Sequence, residues 1–253
     1  MNVNQVLFYN FSKFVAGPVI ATRLHLRCEG LQNIPKEGGA LIVSNHRSLL
    51  DPVVIGYKVS RQISFAAASF AFDMPVVRSL FGAFGAIPLN VFGGEKSRAD
   101  MEKAVDLLQQ GELVGVFPEG VHTLANPRRV SKIQNFRTGF ARLALSARVP
   151  IIPVAVVARG ERNLPKVPPS LVKPFFDHPE FQDGVRWIVY KRVLVRIGKP
   201  LDLGELYDEE HTKQAIDSAS GKVRRIIIKL YNGDDLDRFL TGERPFDFVY
   251  ERV

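Results

Sequence analysis

An α/β fold, built as a single mostly parallel sheet with helices on both faces, is the architecture this chain predicts. Three observations carry that expectation. Short runs of Val, Ile and Leu at 40–44, 113–117 and 149–157 are apolar at successive positions, as strands buried on both faces are. Amphipathic stretches alternate with them, the clearest being 97–110, where Met101, Ala104, Val105 and Leu108 form a stripe that Gly111 stops. Finally, 253 residues with 46% apolar and 24% charged content can bury a sizeable core. Four or five αβ units then imply a sheet sandwiched between helical layers.

In order along the chain, Val3, Val6, Leu7, Phe8, Phe11, Phe14, Val15, Val19 and Ile20 load the first segment with apolar side chains. Val3, Leu7, Phe11 and Phe14 recur at helical spacing, and Gly17-Pro18 interrupts the run, so a helix or a helix pair is expected. No basic region precedes the run and no small-residue cleavage site follows it, which argues against a signal peptide. It also lacks the ~18 to 20 uninterrupted apolar residues of a spanning helix. An amphipathic element lying in a membrane interface fits; a terminal helix packed on the domain is the alternative. A turn-rich lead at 30–39 opens into the 40–44 strand, and Pro52 suits the first turn of a helix over 51–57. Strands are expected at 63–67 and 85–89, helices at 74–84 and 97–110, and a strand at 113–117. A polar, basic loop spans 118–132, followed by a helix at 136–147 and a strand at 149–157. The proline-studded stretch 159–178 cannot be one regular element. A strand at 191–198 and a helix at 209–231 complete the pattern.

Thirty-four basic against 26 acidic residues leave a net charge of +8, which attracts anions of every kind: nucleic acid, phosphorylated substrates, anionic bilayers. The basic residues are dispersed and lack the interleaved aromatics that stack bases, so nucleic acid is not an expected partner. Cys28 is the single cysteine, which excludes an internal disulfide and a cysteine metal cluster, and it reads as a small buried hydrophobe.

Two polar motifs follow two of the predicted strands. Asn45-His46 ends the 40–44 strand, with Asp51 five residues beyond the histidine in the same short connection. Carboxyl edges are where open α/β sheets keep their chemistry. A carboxylate that accepts the proton of one ring nitrogen leaves the other free to take a proton from a hydroxyl. The bland alternative makes His46 and Asp51 ordinary cap and turn residues. Phe117-Pro118-Glu119-Gly120 follows the 113–117 strand in the same manner, suggesting an exposed carboxylate beside backbone that approaches a ligand closely. His122, Arg128, Arg129, Lys132 and Arg137 surround that opening with positive charge, a seat for a phosphate or lipid head group, or else a solvated loop face.

Together these motifs resemble the glycerolipid acyltransferases, the 1-acylglycerol-3-phosphate acyltransferase family that makes phosphatidic acid. Asn45-His46 with Asp51 matches the first family motif, Gly85-Ala86-Ile87-Pro88-Leu89 the second, Phe117-Pro118-Glu119-Gly120 the third and Val149-Pro150-Ile151-Ile152-Pro153-Val154 the fourth. Phe136-Arg137-Thr138-Gly139 is similar to the stretch between the last two. Four motifs in order over roughly residues 25–200 are far more specific than any one. The resemblance implies acyl transfer from acyl-CoA or acyl-carrier protein to the hydroxyl of a lysolipid acceptor, with neither metal nor cofactor. It implies a peripheral or monotopic protein on an anionic membrane surface at the cytoplasmic face. Residues 1–24 would be the membrane-binding helices and 25–253 the acyltransferase domain. His46 and Asp51 would be catalytic, with Asn45, Glu119, Gly120, Arg128, Arg129, Lys132 and Arg137 on the substrate side. Backbone donors near Gly120 and at 150–153 would meet the oxyanion, and Phe65, Phe70, Phe72, Met74 and Phe81 would line an acyl channel or serve as plain core.

Two departures stand out. The family's second motif ends in an arginine where this chain has Asn90-Val91, and its third continues with an arginine where this chain has His122. Those arginines are associated with the acceptor's phosphate, so another lysolipid or lipid hydroxyl is the alternative acceptor, with Lys96, Arg98, Arg128, Arg129 or Lys132 as replacement charge. An alternative of a different class is a basic binding protein for membrane or nucleic acid without turnover.

Overall fold

The computed structural model describes residues 3–73, 75–89, 95–120, 133–173, 182, 184–185, 187–207 and 212–234. Its centre is a seven-stranded sheet of β1 (Arg27–Glu29), β2 (Ala40–Ser44), β3 (Ile63–Ala68), β4 (Ile87–Leu89), β5 (Leu113–Val116), β6 (Ile151–Asn163) and β7 (Ile188–Ile197) in the order β1-β7-β6-β2-β5-β3-β4. Every neighbouring pair is parallel except β6 with β7. The expected α/β sheet is therefore present, and β2 occupies its middle with all five residues buried.

Alternation along the strands divides the core into two layers. Leu41, Val43, Val114, Val116, Ala155 and Val157 face α4 (Glu95–Gln109), a helix at Gly139–Ala147 and a long one at Lys213–Asn232. In chain order these last two are α5 and, after the single-turn α6 (Pro169–Val172), α7. Ala40, Ile42, Ile152, Val154 and Val156 face the other way, onto Val54 and Ile55 of α2 (Asp51–Lys58). Each fully buried Leu, Ile or Val side chain contributes roughly 1.5–3 kcal/mol, so the middle strands anchor the molecule. Between β3 and β4 stands α3 (Pro75–Ala83), close to the helix expected at 74–84.

The first helix, α1 (Val3–Arg23), is one helix running through Gly17-Pro18 rather than a pair. One face docks on α2: the Tyr9 hydroxyl donates to Gly56 O at 3.2 Å, Lys13 Nζ donates to Val59 O, and Gly17 is buried where any Cβ would collide with the Tyr57 ring. Burial pushes the Tyr9 phenol up to about 12 and lowers the Lys13 ammonium from its ordinary value. Lys13 thus serves the end of α2 rather than offering a free surface charge. The opposite face is bare: Phe11, Phe14, Val15 and Val19 are 65%, 79%, 52% and 61% exposed. Those spacings of three, four and eight residues make one continuous apolar stripe. Of the expected stripe, the side chains of Val3 and Leu7 lie outside the described set. No helix among the described residues is long and apolar enough to cross a membrane.

Other differences have local causes. The helix expected from 136 starts at Gly139, because residues before it turn their backbone outward: Gln134 N donates to Glu119 and Arg137 N to Pro118 O. β6 runs on to Asn163 instead of ending at 157, since β7 begins at Ile188 and pairs with it antiparallel from Val154 to Asn163, with register shifts about Gly160. The final helix starts at Lys213, where Thr212 Oγ1 accepts from Ala215 N at 3.2 Å, and it ends at Gly233 with φ 87°. The short strand β1 has no sequence signal of its own. Cys28 is half-buried, and burial pushes its thiol up to about 11.

Candidate active site

Register brings the two polar motifs together. Val43 pairs with Val116 in the β2–β5 ladder, so the chain leaves both strands side by side at the carboxyl edge, with His46 and Phe117–Glu119 in the adjoining connections. The convergence expected from two strand ends is present. Asn45 turns back to the other neighbour: its Nδ2 donates to Val156 O at 3.1 Å and its Oδ1 accepts from Val156 N at 2.8 Å. Both polar atoms of this buried amide are thereby spent on β6, which makes Asn45 a clamp for the loop.

His46 Nδ1 lies 2.8 Å from Asp51 Oδ2. A carboxylate only accepts, so Nδ1 carries the proton and Nε2 of the neutral ring is left as a base. Nε2 makes no hydrogen bond with any described residue, and the side chain keeps 12% exposure. The ring lies flat on Phe117 at 4.1 Å between centroids and 17° between planes, and Phe117 in turn stacks on Phe65. Gly115 makes room for this ladder, because a Cβ there would stand 2.4 Å from the Phe65 ring. Phe65 is thus part of the platform under the histidine. Phe72 meets Phe81 edge to face, and Met74 lies outside the described residues.

Asp51 opens α2 and has no exposed surface. Oδ2 accepts from Arg47 N at 2.6 Å and Ser48 N at 2.8 Å as well as from the imidazole, and Oδ1 accepts from the Tyr190 hydroxyl. A fully buried carboxylate with four donors fits the orienting role. Burial, and then the charge of Asp51, raise the Tyr190 phenol well above its ordinary value, so it stays a donor. Arg47 is buried beside this pair and bonds Glu161 at 2.8 Å, its guanidinium 6.0 Å from the Tyr231 ring centroid. Burial opposes the Arg47 charge, and the Glu161 hydrogen bond and nearby charges outweigh it, leaving the guanidinium above its usual value.

Glu119 corrects one expectation. It is 2% exposed rather than an open carboxylate: Oε1 accepts from His46 N and Oε2 from Gln134 N, both at 2.8 Å. Burial raises its pKa, against the lowering effect of those two bonds. It ties the histidine loop to the segment that begins at Ile133, and Arg224 of α7 holds that segment through Ile133 O and Gln134 O. Gly120 sits in the turn after Glu119 with φ 80°, a conformation that glycine adopts freely. Arg137 is exposed, its N–H bound to Pro118 O. The segment 150–153 corrects another expectation: it lies along β2 from Leu41 to Val43, Pro150 and Pro153 have no N–H to offer, and Ile151 N donates to Leu201 O. Val91, His122, Arg128, Arg129 and Lys132 lie outside the described residues.

Sequence reasoning did not single out Arg47, Ser48, Glu161, Tyr190 or Arg224. The first two stood inside a motif already noticed, whereas Glu161, Tyr190 and Arg224 carry no local signal.

Comparison with known proteins bears on this geometry. The family model described as Acyltransferase matches residues 25–157. The chain is 28% identical over 127 residues to the 1-acyl-sn-glycerol-3-phosphate acyltransferase of Borreliella burgdorferi, covering 50% of this chain and 49% of that protein. It is 32% identical over 145 residues to the DGAT1/2-independent enzyme synthesizing storage lipids of Bos taurus, covering 53% and 40%. The chain therefore spans half or less of the length of these curated relatives. In fold it is similar to the crystal structure of the 1-acyl-sn-glycerophosphate acyltransferase PlsC from Thermotoga maritima, with a TM-score of 0.53 and 18% identity over 90% of this chain and 95% of that one.

Proposed function

The chain belongs to the acyltransferase family, and on that premise we propose that it moves a fatty acyl group from acyl-CoA or acyl-carrier protein to the free hydroxyl of a lysolipid. The acceptor we propose is 1-acylglycerol 3-phosphate, the one in the name of the Borreliella relative, and its acylation gives phosphatidic acid. One observation carries the reading: a histidine whose Nδ1 lies 2.8 Å from the oxygen of a fully buried carboxylate, with Nε2 bonded to no described residue, at the carboxyl edge of a parallel sheet.

Nε2 of His46 takes the proton of the acceptor hydroxyl as the oxygen attacks the thioester carbonyl. The imidazolium so formed is balanced by Asp51. Collapse of the tetrahedral intermediate breaks the carbon–sulfur bond, and the departing thiolate takes the proton back from Nε2, so the base returns unchanged. Transfer is direct, without an acyl-enzyme. Asn45 and Glu119 position the histidine loop, the first through β6 and the second through His46 N. Gly120 and Arg137 border the opening on the acceptor side. Arg128, Arg129 and Lys132 supply the charge that holds a phosphate. The apolar stripe of α1 rests on an anionic bilayer from which the lysolipid is drawn.

A second acceptor class has specific support. Val91 and His122 replace the cations of the family motifs, and neutral histidine is no substitute for a bidentate guanidinium. The bovine relative is named as an enzyme synthesizing storage lipids. Thiol release from acyl-CoA is the deciding assay, run against lysophosphatidic acid, glycerol 3-phosphate, lysophosphatidylglycerol, lysophosphatidylcholine and a lysoglycolipid. Preference for lysophosphatidic acid supports the first acceptor. Preference for a lipid without a phosphate monoester replaces it and leaves the chemistry standing; no release with any of them removes the acyl-transfer reading.

A further inference from the structure

The His46–Asp51 pair is completed by a residue 139 positions away, on a strand outside the 25–157 stretch that the family model matches. The donors to Asp51 Oδ2 are all local, from residues 46, 47 and 48. For Oδ1 the donor is the Tyr190 hydroxyl. Tyr190 reaches it because β7 is antiparallel to β6: the amino end of β7 lies at the carboxyl edge of the sheet, where His46 stands. Tyr190 is paired across the ladder with Glu161, which binds Arg47. Ile188 O accepts from Ser48 Oγ at 2.6 Å. The β6–β7 ribbon therefore grips the loop at residues 47, 48 and 51.

We propose that Tyr190 is a positioning residue for the His46–Asp51 pair, its hydroxyl holding the free oxygen of the buried carboxylate so that the other oxygen and the negative charge stay directed at the imidazole. Among the described residues, the charged and titratable groups around Asp51 are His46 and Arg47 of its own loop, Glu119 beyond β5, Glu161 of β6 and Tyr190 of β7. Without the hydroxyl, Oδ1 is a buried carboxylate oxygen with no donor among these groups. Such an oxygen makes the carboxylate hold protons more strongly, either its own or the shared proton of the imidazolium. Both routes have one sign: the form with a charged Asp51 and a neutral His46 then requires a higher pH.

The kinetic arm of the test rests on the acyl-transfer reading, and a spectroscopic arm does not. Tyr190→Phe keeps the ring and removes only the hydroxyl. The acidic limb of kcat/KM against pH is expected to move up by about 0.5 to 1 unit, a loss of about three- to tenfold on the acidic side that shrinks toward the plateau, with an unchanged KM for the acyl donor. In parallel, the His46 ring signals followed by carbon-edited NMR change at a higher pH in Tyr190→Phe than in the parent. Placing 3-fluorotyrosine at 190, a more acidic donor of the same shape, moves both readouts the opposite way, and it decides the matter if Tyr190→Phe does not fold. A limb and ring titration unmoved in folded protein overturn the proposal, even if stability falls, because packing alone predicts that result. If the parent transfers no acyl group to any acceptor, the functional reading fails while the NMR comparison still decides the role of Tyr190.

Discussion

Asp51→Asn separates the charge of the carboxylate from its geometry. Oδ2 receives the ring N–H of His46 and the backbone N–H groups of Arg47 and Ser48 at 2.6 and 2.8 Å, so an amide in its place must turn its oxygen toward all three. Its NH2 then falls on the Tyr190 hydroxyl, which rotates from donor to acceptor. The tautomer of His46 survives, and only the negative charge is lost. An imidazolium with its counter-charge about 4 Å away is stabilised by about 4 kcal/mol at an effective dielectric of about 20. Removing that charge lowers the rate by about 10³-fold. Where the analogous exchange in a serine protease leaves the ring in the wrong tautomer, the loss is about 10⁴-fold, so the asparagine here is the milder case. The assay is thiol release from acyl-CoA at saturating acceptor, with circular dichroism confirming the fold. A loss smaller than about tenfold in folded protein would refute the reasoning and return Asp51 to the status of a helix-start residue.

His46→Ala removes the proposed base; thiol release is expected to fall by the ~10²- to 10⁴-fold that a general base contributes, with an unchanged dichroism spectrum, and retained turnover would exclude the histidine as base. Tyr9→Phe tests the docking of α1 through pH: the folded phenol is raised to about 12, so its contribution is present below pH 10 and is lost as the pH rises toward 12, while the unfolded chain releases the proton. Urea unfolding from pH 8 to 11.5 should show the variant's stability falling less than the parent's, by roughly 2 kcal/mol at the top of the range, and equal slopes would place Tyr9 in water. Replacing Phe11 and Phe14 by serine should weaken flotation with anionic vesicles by at least about tenfold without changing thermal stability, since both rings are already exposed. Unchanged flotation would show that the bilayer contact lies elsewhere.

What the sequence made legible was local. His46 and Asp51 are five residues apart in one connection, and Phe117–Glu119 follows a strand whose apolar run is unmistakable, so their meeting needed only the rule that parallel strands end at one edge. The Tyr190 bond to Asp51 and the Arg47 bond to Glu161 depend on the register of an antiparallel ribbon whose partners are separated by a long proline-studded stretch. Nothing in residues 188–197 distinguishes Tyr190 from an ordinary strand tyrosine. Glu119 departs from the expected exposure for a different reason. A glutamate before a glycine suggests exposure, but its two oxygens are satisfied by backbone N–H groups, and backbone donors leave no mark on residue identity.

The docking of α1 gives the proposed chemistry a definite relation to the surface it would work on. Tyr9 and Lys13 bind Gly56 and Val59 at the end of α2, and the first residue of α2 is Asp51. Eight residues of α-helix span about 12 Å, so the exposed stripe of Phe11, Phe14, Val15 and Val19 is joined to the base through one short rigid element. Leu49 and Val53, on the loop and first turn beside His46, also carry exposed apolar side chains. An enzyme acting on the hydroxyl of an amphiphile needs such a linkage, because that hydroxyl lies at head-group depth, between tails that stay in the bilayer and a thioester delivered from water. A base mounted on a mobile tether would lose the fixed geometry that direct transfer requires. On the proposed reading, α1 packed on α2 would let the depth at which the stripe settles set the height of His46 Nε2 above the bilayer, so that the contacts holding the amino-terminal helix would also bring the proposed base to the acceptor's hydroxyl.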